Sequence, residues 1–539
     1  MQRLISLIIW LLFLFASNAQ DTGKTFTSIL SEQRPQLVVG IVIDQMRWDY
    51  LYRYYDRYAT DGGFKRLLNQ GFACENTMIP YVPTITACGH TSIFTGSVPA
   101  INGITGNDWW DYKQNSFVYC TDDTSVHTIG SNTDAGKMSP VNLLVTTIGD
   151  ELKLATNFQS KVIGIALKDR AAILPAGHSA NAAYWYDSKT GDWISSSYYM
   201  TALPAWVNEF NKSKLPDQYY AKDWNTLYPI ASYQQSDPDN NRFPHSLKQH
   251  ATKNYGVIVA TPYGIDFSIE MAKAAIIGEA LGAGTTTDFL SLSLSSPDYI
   301  GHAFGPNSIE VEDCFLRLDK QLGLLLDFLD AKTGKGKYLV FLTADHGAAN
   351  VPSFLNEHKI PAGNFDNETV AVELNKYLDA TFKTTNLVIG ILNYQVYLDR
   401  DAMVAKHLNK NLVYKTAIEY LLKNAAIDRV IELDAVSETT LNTNVKKLIT
   451  TGYFPSRSGD LQILFRPQWI DGFLNGGTTH GVWNPYDAHI PLIWYGGNIK
   501  PGKTYKDIYM TDIAPTVAAL LKIQMPNGCV GHVIDELIK

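Results

Sequence analysis

Four short apolar runs, rich in β-branched residues, each end on side chains capable of chemistry. They are residues 36–44 (QLVVGIVID), 161–170 (KVIGIALKDR), 288–298 (DFLSLSLSSPD) and 337–346 (KYLVFLTADH); 490–497 (IPLIWYGG) is a further run. Near-continuous apolar strands of this length belong to a sheet buried on both faces, which is characteristically parallel. Helical spacing fits between them. Cys314, Phe315, Leu318, Leu322, Leu325 and Leu329 recur at helical intervals within 308–329, and residues 511–523 read as a final helix. The expected fold is α/β, with a largely parallel central sheet and helices on both faces. Ligands bind beyond the carboxyl ends of such strands. Asp44, Lys168, Arg170, Asp298, Asp345 and His346 would gather at that edge. Lys168 and Arg170, two apart on an extended run, would point to one side with Asp169 opposite.

Two segments break the rhythm: about 106–255, rich in Trp, Tyr, Asn and Asp, and about 354–476. Candidate metal-ligating residues lie before, between and after them. They therefore read as cap-forming insertions on one catalytic domain spanning residues 20–539. Residues 1–19 read as a cleaved secretory signal, with Arg3, an apolar run from Leu4 to Phe15, and Ser17 and Ala19 before the cut. Export to the periplasm, or secretion, is expected, with no stable membrane anchor after cleavage. The net charge of −8 with no basic stripe argues against nucleic acid as a partner. The five cysteines are scattered and lack paired metal-binding spacing; small buried residues are the expected reading.

Asp298 and His302 are four apart, which places both on one face of a helical turn. Asp345 and His346 follow a strand, with Gly347 next to permit a tight turn. His480 lies in a Gly-bordered loop, GGTTHGVWN, and Asp44 closes the first strand. Carboxylate and imidazole without thiolate suit Zn²⁺, and six such ligands suffice for two catalytic ions with open positions. Asp487, His489 and His90 are the competing positions: a loop closure, a strand entry and a hydrogen-bonding neighbour.

The stretch 81–96, YVPTITACGHTSIFTG, holds Thr84, Thr86, Thr91, Ser92 and Thr95 beside Cys88. Pro83 keeps the segment ahead of it extended, so a helix begins near Thr86. A helix start stabilises an oxyanion or phosphoryl group; a threonine there also serves as a simple cap. A thiolate at Cys88 would be activated at the same place, but no C-x5-R loop follows.

Together, DQMRWDYLYRYY, YVPTITACGHTSIFTG, GNDWW, LKDRAAILPAGH, DYIGHAFGP, TADHGA, GTTHGVWN and MTDIAPT resemble the alkaline phosphatase superfamily. They are most similar to its periplasmic bacterial branch of PafA-type enzymes, from about Pro35 to the C-terminus. The resemblance implies that Asp44, Asp345 and His346 hold one zinc ion with the nucleophile Thr86, and that Asp298, His302 and His480 hold another. It implies that Asn107, Lys168 and Arg170 bind phosphoryl oxygens. The expected activity is hydrolysis of a broad range of small phosphate monoesters through a covalent phosphothreonine, by a monomer with two Zn²⁺. The alternative is a phosphodiesterase or nucleotide pyrophosphatase, which the Lys168/Arg170 pair disfavours because a diester offers fewer oxygens to it. A sulfatase would need C-x-P-x-R, which none of the cysteines has. A non-catalytic binder of phosphate or zinc would not need a nucleophile.

Overall fold

The computed structural model describes residues 34–235, 242–251, 254–472 and 477–538; the leader expected over residues 1–19 lies outside them. Among the described residues ten strands build the main sheet: β1 (Leu37–Ile43), β2 (Phe72–Cys74), β3 (Thr128–Ile129), β4 (Val162–Ile165), β5 (Ala182–Asp187), β6 (Asp192–Ser196), β7 (Asp288–Leu294), β8 (Tyr338–Thr343), β9 (Leu492–Gly496) and β10 (Gly502–Thr504). Their spatial order is β10-β2-β9-β8-β1-β7-β4-β5-β6-β3. The five strands from β8 to β5 run parallel. Every residue of β1, β7 and β8 is buried. Both faces are covered, which is why β1 and β8 lack polar alternation; β7 alternates Leu with Ser, and Ser291 and Ser293 are fully buried. The run at 490–497 also joins the sheet, but antiparallel to β8, and β9–β2, β5–β6 and β6–β3 are antiparallel too. The sheet is thus parallel at its centre and mixed toward its edges.

Six helices matter for the site: α1 (Thr86–Thr95), α2 (Asp169–Ala176), α3 (Tyr263–Gly278), α4 (Ser296–Phe304), α5 (Ile309–Leu329) and α6 (Ile513–Leu521). They pack in two groups, α1 with α2 and α6, and α5 with α3 and α4. Ser308 caps α5 by accepting from the Val311 amide. Leu318, Leu322, Leu325 and Leu329 are at most 1% exposed, each contributing roughly 2 kcal/mol over an exposed side chain. The final helix, α6, begins after a single 3₁₀ turn at Met510–Asp512.

The segment 106–255 supplies β3 to β6 of the main sheet, and also a hairpin, Asp108–Asp111 paired with Ser116–Tyr119. The segment 354–476 contains a separate four-stranded antiparallel sheet (Val388–Leu392, Gln395–Leu398, Ile427–Glu432, Leu461–Phe465). It packs on its own core, including Leu374, Val396, Val413 and Leu461. All five cysteines are free, and only Cys529 is not fully buried. Among the described residues no helix is long and apolar enough to cross a membrane.

Candidate active site

Thr86 is the first residue of α1. Ile85 precedes it in extended backbone and offers no side-chain cap. The threonine is therefore not the capping residue. Its Oγ1 instead lies 3.4 Å from His346 Nε2. The Ala87 amide in the first turn donates to Asn107 Oδ1 at 3.1 Å, so Asn107 sits against the same helix start. Two neighbouring hydroxyls bind backbone carbonyls instead: Thr84 donates across the fold to that of Val482, and Thr95 within the helix to that of Thr91. Cys88 is buried with its thiol on the Ile104 carbonyl, and burial pushes the thiol well up, away from thiolate.

The strand ends deliver the remaining groups. Asp44 directly follows β1, Asp345 and His346 follow β8 after one residue, and α4 presents Asp298 and His302 one turn apart. Two clusters result, Asp44/Asp345/His346 and Asp298/His302/His480, with ligand-type atoms within 4.8 Å in each. They adjoin: the His346 and His480 rings stack at 3.5 Å. Each imidazole uses Nδ1 on a backbone carbonyl, His346 on Gly347, His302 on Thr478 and His480 on Thr84. That contact fixes the tautomer with the Nε2 lone pair turned inward, the arrangement a metal ligand needs.

Asp44 Oδ1 and Asp345 Oδ2 are buried without a hydrogen bond among the described residues. Asp345 Oδ2 does lie 3.2 Å from His90 Nδ1 and 3.3 Å from His346 Nε2, without hydrogen-bond alignment. An unpartnered buried carboxylate oxygen is costly, and two converging beside an imidazole nitrogen fit a divalent cation. Electrostatics agree. Burial, then Asp345, raises the Asp44 carboxyl well above its usual range. Burial holds the His346 and His480 rings below the usual imidazole value, and for His480 the two other imidazoles add to it. That favours the neutral form of both rings, which can donate a lone pair; burial acts the same way on His302, but Asp298 raises that ring above the usual value. Burial opposes ionisation of Asp298 and Asp345, yet His302 and Lys168 hold the first low, and His346 and His90 the second.

Lys168 is placed between the clusters. Its Nζ lies 2.7 Å from Asp44 Oδ2 and 2.6 Å from Asp298 Oδ2. The expected extended run through Arg170 is not found. β4 stops at Ile165, Lys168 is the extended residue before α2, and Arg170 lies in the helix's first turn. The pair straddles a helix start, with Arg170 Nη1 on the Tyr119 hydroxyl at 3.0 Å. Of the competing positions, Asp487 holds the amides of Gly481 and Val482, and His489 stacks on Trp48. His90 braces the site, with Nδ1 2.9 Å from the Thr86 carbonyl and Nε2 2.9 Å from Ser293 Oγ.

One residue of the site gave no sequence signal. Gln45 adopts left-handed backbone (φ 64°). Its amide donates to Asp345 Oδ1 and its side chain to Asp298 Oδ1 at 2.6 Å, tying the two clusters together. Its place after Asp44, within the motif DQMRWDYLYRYY, is what could have drawn attention to it.

Residues 38–483 match the model of the type I phosphodiesterase / nucleotide pyrophosphatase family. The chain is 50% identical to alkaline phosphatase PhoV of Synechococcus elongatus, over the full length of both. It is 48% identical to alkaline phosphatase PafA of Elizabethkingia meningoseptica, covering 94% of this chain and 95% of that one. The crystal structure of wild-type PafA superposes with a TM-score of 0.91 at 48% identity, covering 94% of this chain and 99% of the other. The chain belongs to the type I phosphodiesterase / nucleotide pyrophosphatase family of the alkaline phosphatase superfamily, on the branch that holds PafA and PhoV.

Proposed function

We propose that the protein is an exported alkaline phosphatase that hydrolyses small phosphate monoesters of broad range through a covalent phosphothreonine at Thr86. The observation that carries the reading is the placing of the Thr86 hydroxyl at a buried helix start, against His346 of one ligand cluster and beside Asn107. Asp44, Asp345 and His346, with Thr86, would hold one Zn²⁺, and Asp298, His302 and His480 a second. Bound zinc supplies Lewis acidity that makes a threonine hydroxyl and a water nucleophilic near neutral pH and eases leaving-group departure. Thr86 Oγ1 attacks phosphorus as the bond to the leaving oxygen breaks; water then cleaves the phosphothreonine to inorganic phosphate. Asn107, on the Ala87 amide, orients one phosphoryl oxygen. The Lys168 ammonium and the Arg170 guanidinium provide positive charge for the oxygens of a dianion. A thiol route through Cys88 is disfavoured by its burial and raised pKa. The diesterase alternative is disfavoured by two cationic residues at the start of α2. We read the chain after its leader as one monomeric catalytic unit.

The test is metal content together with kcat/KM for an aryl monoester, the matching diester and a sulfate ester. Near two zinc per chain and a strong monoester preference are expected. Thr86→Ala should abolish turnover with both ions retained. A diester preference, or a Thr86→Ala variant that still turns over, refutes the reading.

A further inference from the structure

The two cations before and within α2 are held in opposite ways. Lys168 is paired with two carboxylates. Arg170 has its Nη1 on Tyr119 and its Nε buried without a partner, and among the described residues no carboxylate lies within ion-pair distance of it. Two acids act on its charge without pairing to it, Asp108 and the adjacent Asp169, and Asp169 is occupied elsewhere. Asp169 Oδ1 accepts from the Tyr119 hydroxyl at 2.5 Å, from Thr121 Oγ1 at 3.4 Å and from the Arg170 amide. A phenol has one proton to give. Tyr119 gives it to Asp169, so its oxygen can only accept from Arg170. Burial, then Asp169, pushes the Tyr119 hydroxyl well above its usual range, which keeps it a neutral phenol.

The hairpin connects this contact to the phosphoryl site. Tyr119 pairs across it with Asp108, and the Cys120 amide donates to the Asn107 carbonyl at 2.8 Å. The open end of the hairpin thus carries Asn107 on one strand and the Arg170 contact, through Tyr119, on the other. Tyr112 on the same hairpin donates to the buried Asp460 at 2.7 Å, and Asn393 donates to the Asp108 carbonyl, which fastens it to the four-stranded sheet.

We propose that Tyr119 is a positioning residue that orients the Arg170 guanidinium toward the phosphoryl oxygens without neutralising it, and so sets much of the preference for monoester dianions. A carboxylate in its place would orient Arg170 equally well but would cancel the charge the dianion needs. This role rests on the phosphomonoesterase reading above.

The experiment compares wild type, Tyr119→Phe, Arg170→Ala and the double variant. For each, kcat/KM is measured for an aryl phosphate monoester and the matching diester, with inhibition by inorganic phosphate. Tyr119→Phe should lower monoester kcat/KM about tenfold, the scale of one hydrogen bond to a charged group, and weaken phosphate inhibition in parallel. Diester turnover should stay within about twofold, and the effect should vanish on the Arg170→Ala background. Equal losses on both substrates, no loss, or a loss that persists without Arg170 would overturn the role of Tyr119 alone. An Arg170→Ala variant with an unchanged monoester-to-diester ratio would overturn the reading of the site along with it.

Discussion

Gly89 lies in the first turns of α1, where the helix crosses the backbone that follows β8. A methyl group there would sit 2.3 Å from the Asp345 carbonyl oxygen and 2.6 Å from Asp345 Cβ. Cβ atoms essentially never approach within 3.0 Å, so Gly89→Ala forces the helix and the Asp345 segment apart by at least 0.7 Å. The obstacle is backbone, which cannot rotate away. Overpacking of this kind costs about 1–3 kcal/mol, which a domain of this size tolerates. The site does not tolerate it, because Thr86 is three residues away on α1 and its contact with His346 is already 3.4 Å. A misplacement of about 1 Å costs on the order of a hundredfold in rate. Gly89→Ala should therefore remain folded, with kcat/KM for an aryl phosphate down about a hundredfold. Thermal unfolding, bound-metal analysis and steady-state kinetics on one preparation test this. Activity within about threefold of wild type would refute the argument that the glycine sets the helix-to-strand approach. A loss explained by unfolding would refute it as well.

Asp150 is the third helical residue of a capping box whose N-cap is Thr147, and it accepts from Thr147, Ser179 and His178. Burial opposes its ionisation, yet these bonds hold its carboxyl down at about 2 from the usual 3.8, worth about 2 kcal/mol of stability. Because the folded value is the lower one, that stability is present above pH 4 and lost as the pH falls from about 4 to about 2. Asp150→Asn should thus be less stable than wild type in urea at pH 7 by about 2 kcal/mol, with the gap closing in acid; a pH-independent gap would contradict this. Gln45→Ala removes the donor on Asp298 Oδ1 and should weaken metal affinity about tenfold, measured by competition with a chromogenic chelator; unchanged affinity would rule out the bridging role. Removing metal with a chelator should abolish turnover and lower the unfolding temperature, since Asp44 Oδ1 and Asp345 Oδ2 have no hydrogen bond among the described residues; an unchanged melting curve would show that nothing binds there.

Much of this was legible in the chain itself. The runs ending at Asp44 and Asp345 could be read as strands because burial on both faces removes polar alternation, and the Leu/Ser alternation of residues 290–294 is itself a strand period; both are local signatures. The four-residue spacing of Asp298 and His302 and the helix start at Thr86 follow from backbone geometry over a few residues. The resemblance of the motifs then carried the family. What the tertiary structure decided involves groups far apart or conformations with no residue signature. Strand direction at β9 depends on how its connection returns, not on its side chains. The apolar pattern of 354–476 did not show that it closes a second core. Lys168 meets Asp44 and Asp298 across 124 and 130 residues. Gln45 takes a left-handed backbone that glutamine rarely adopts. The Tyr119–Asp169–Arg170 chain exists only because a hairpin 50 residues upstream folds onto the start of α2. Periodicity is written residue by residue, whereas the partner of a buried charge is chosen by packing.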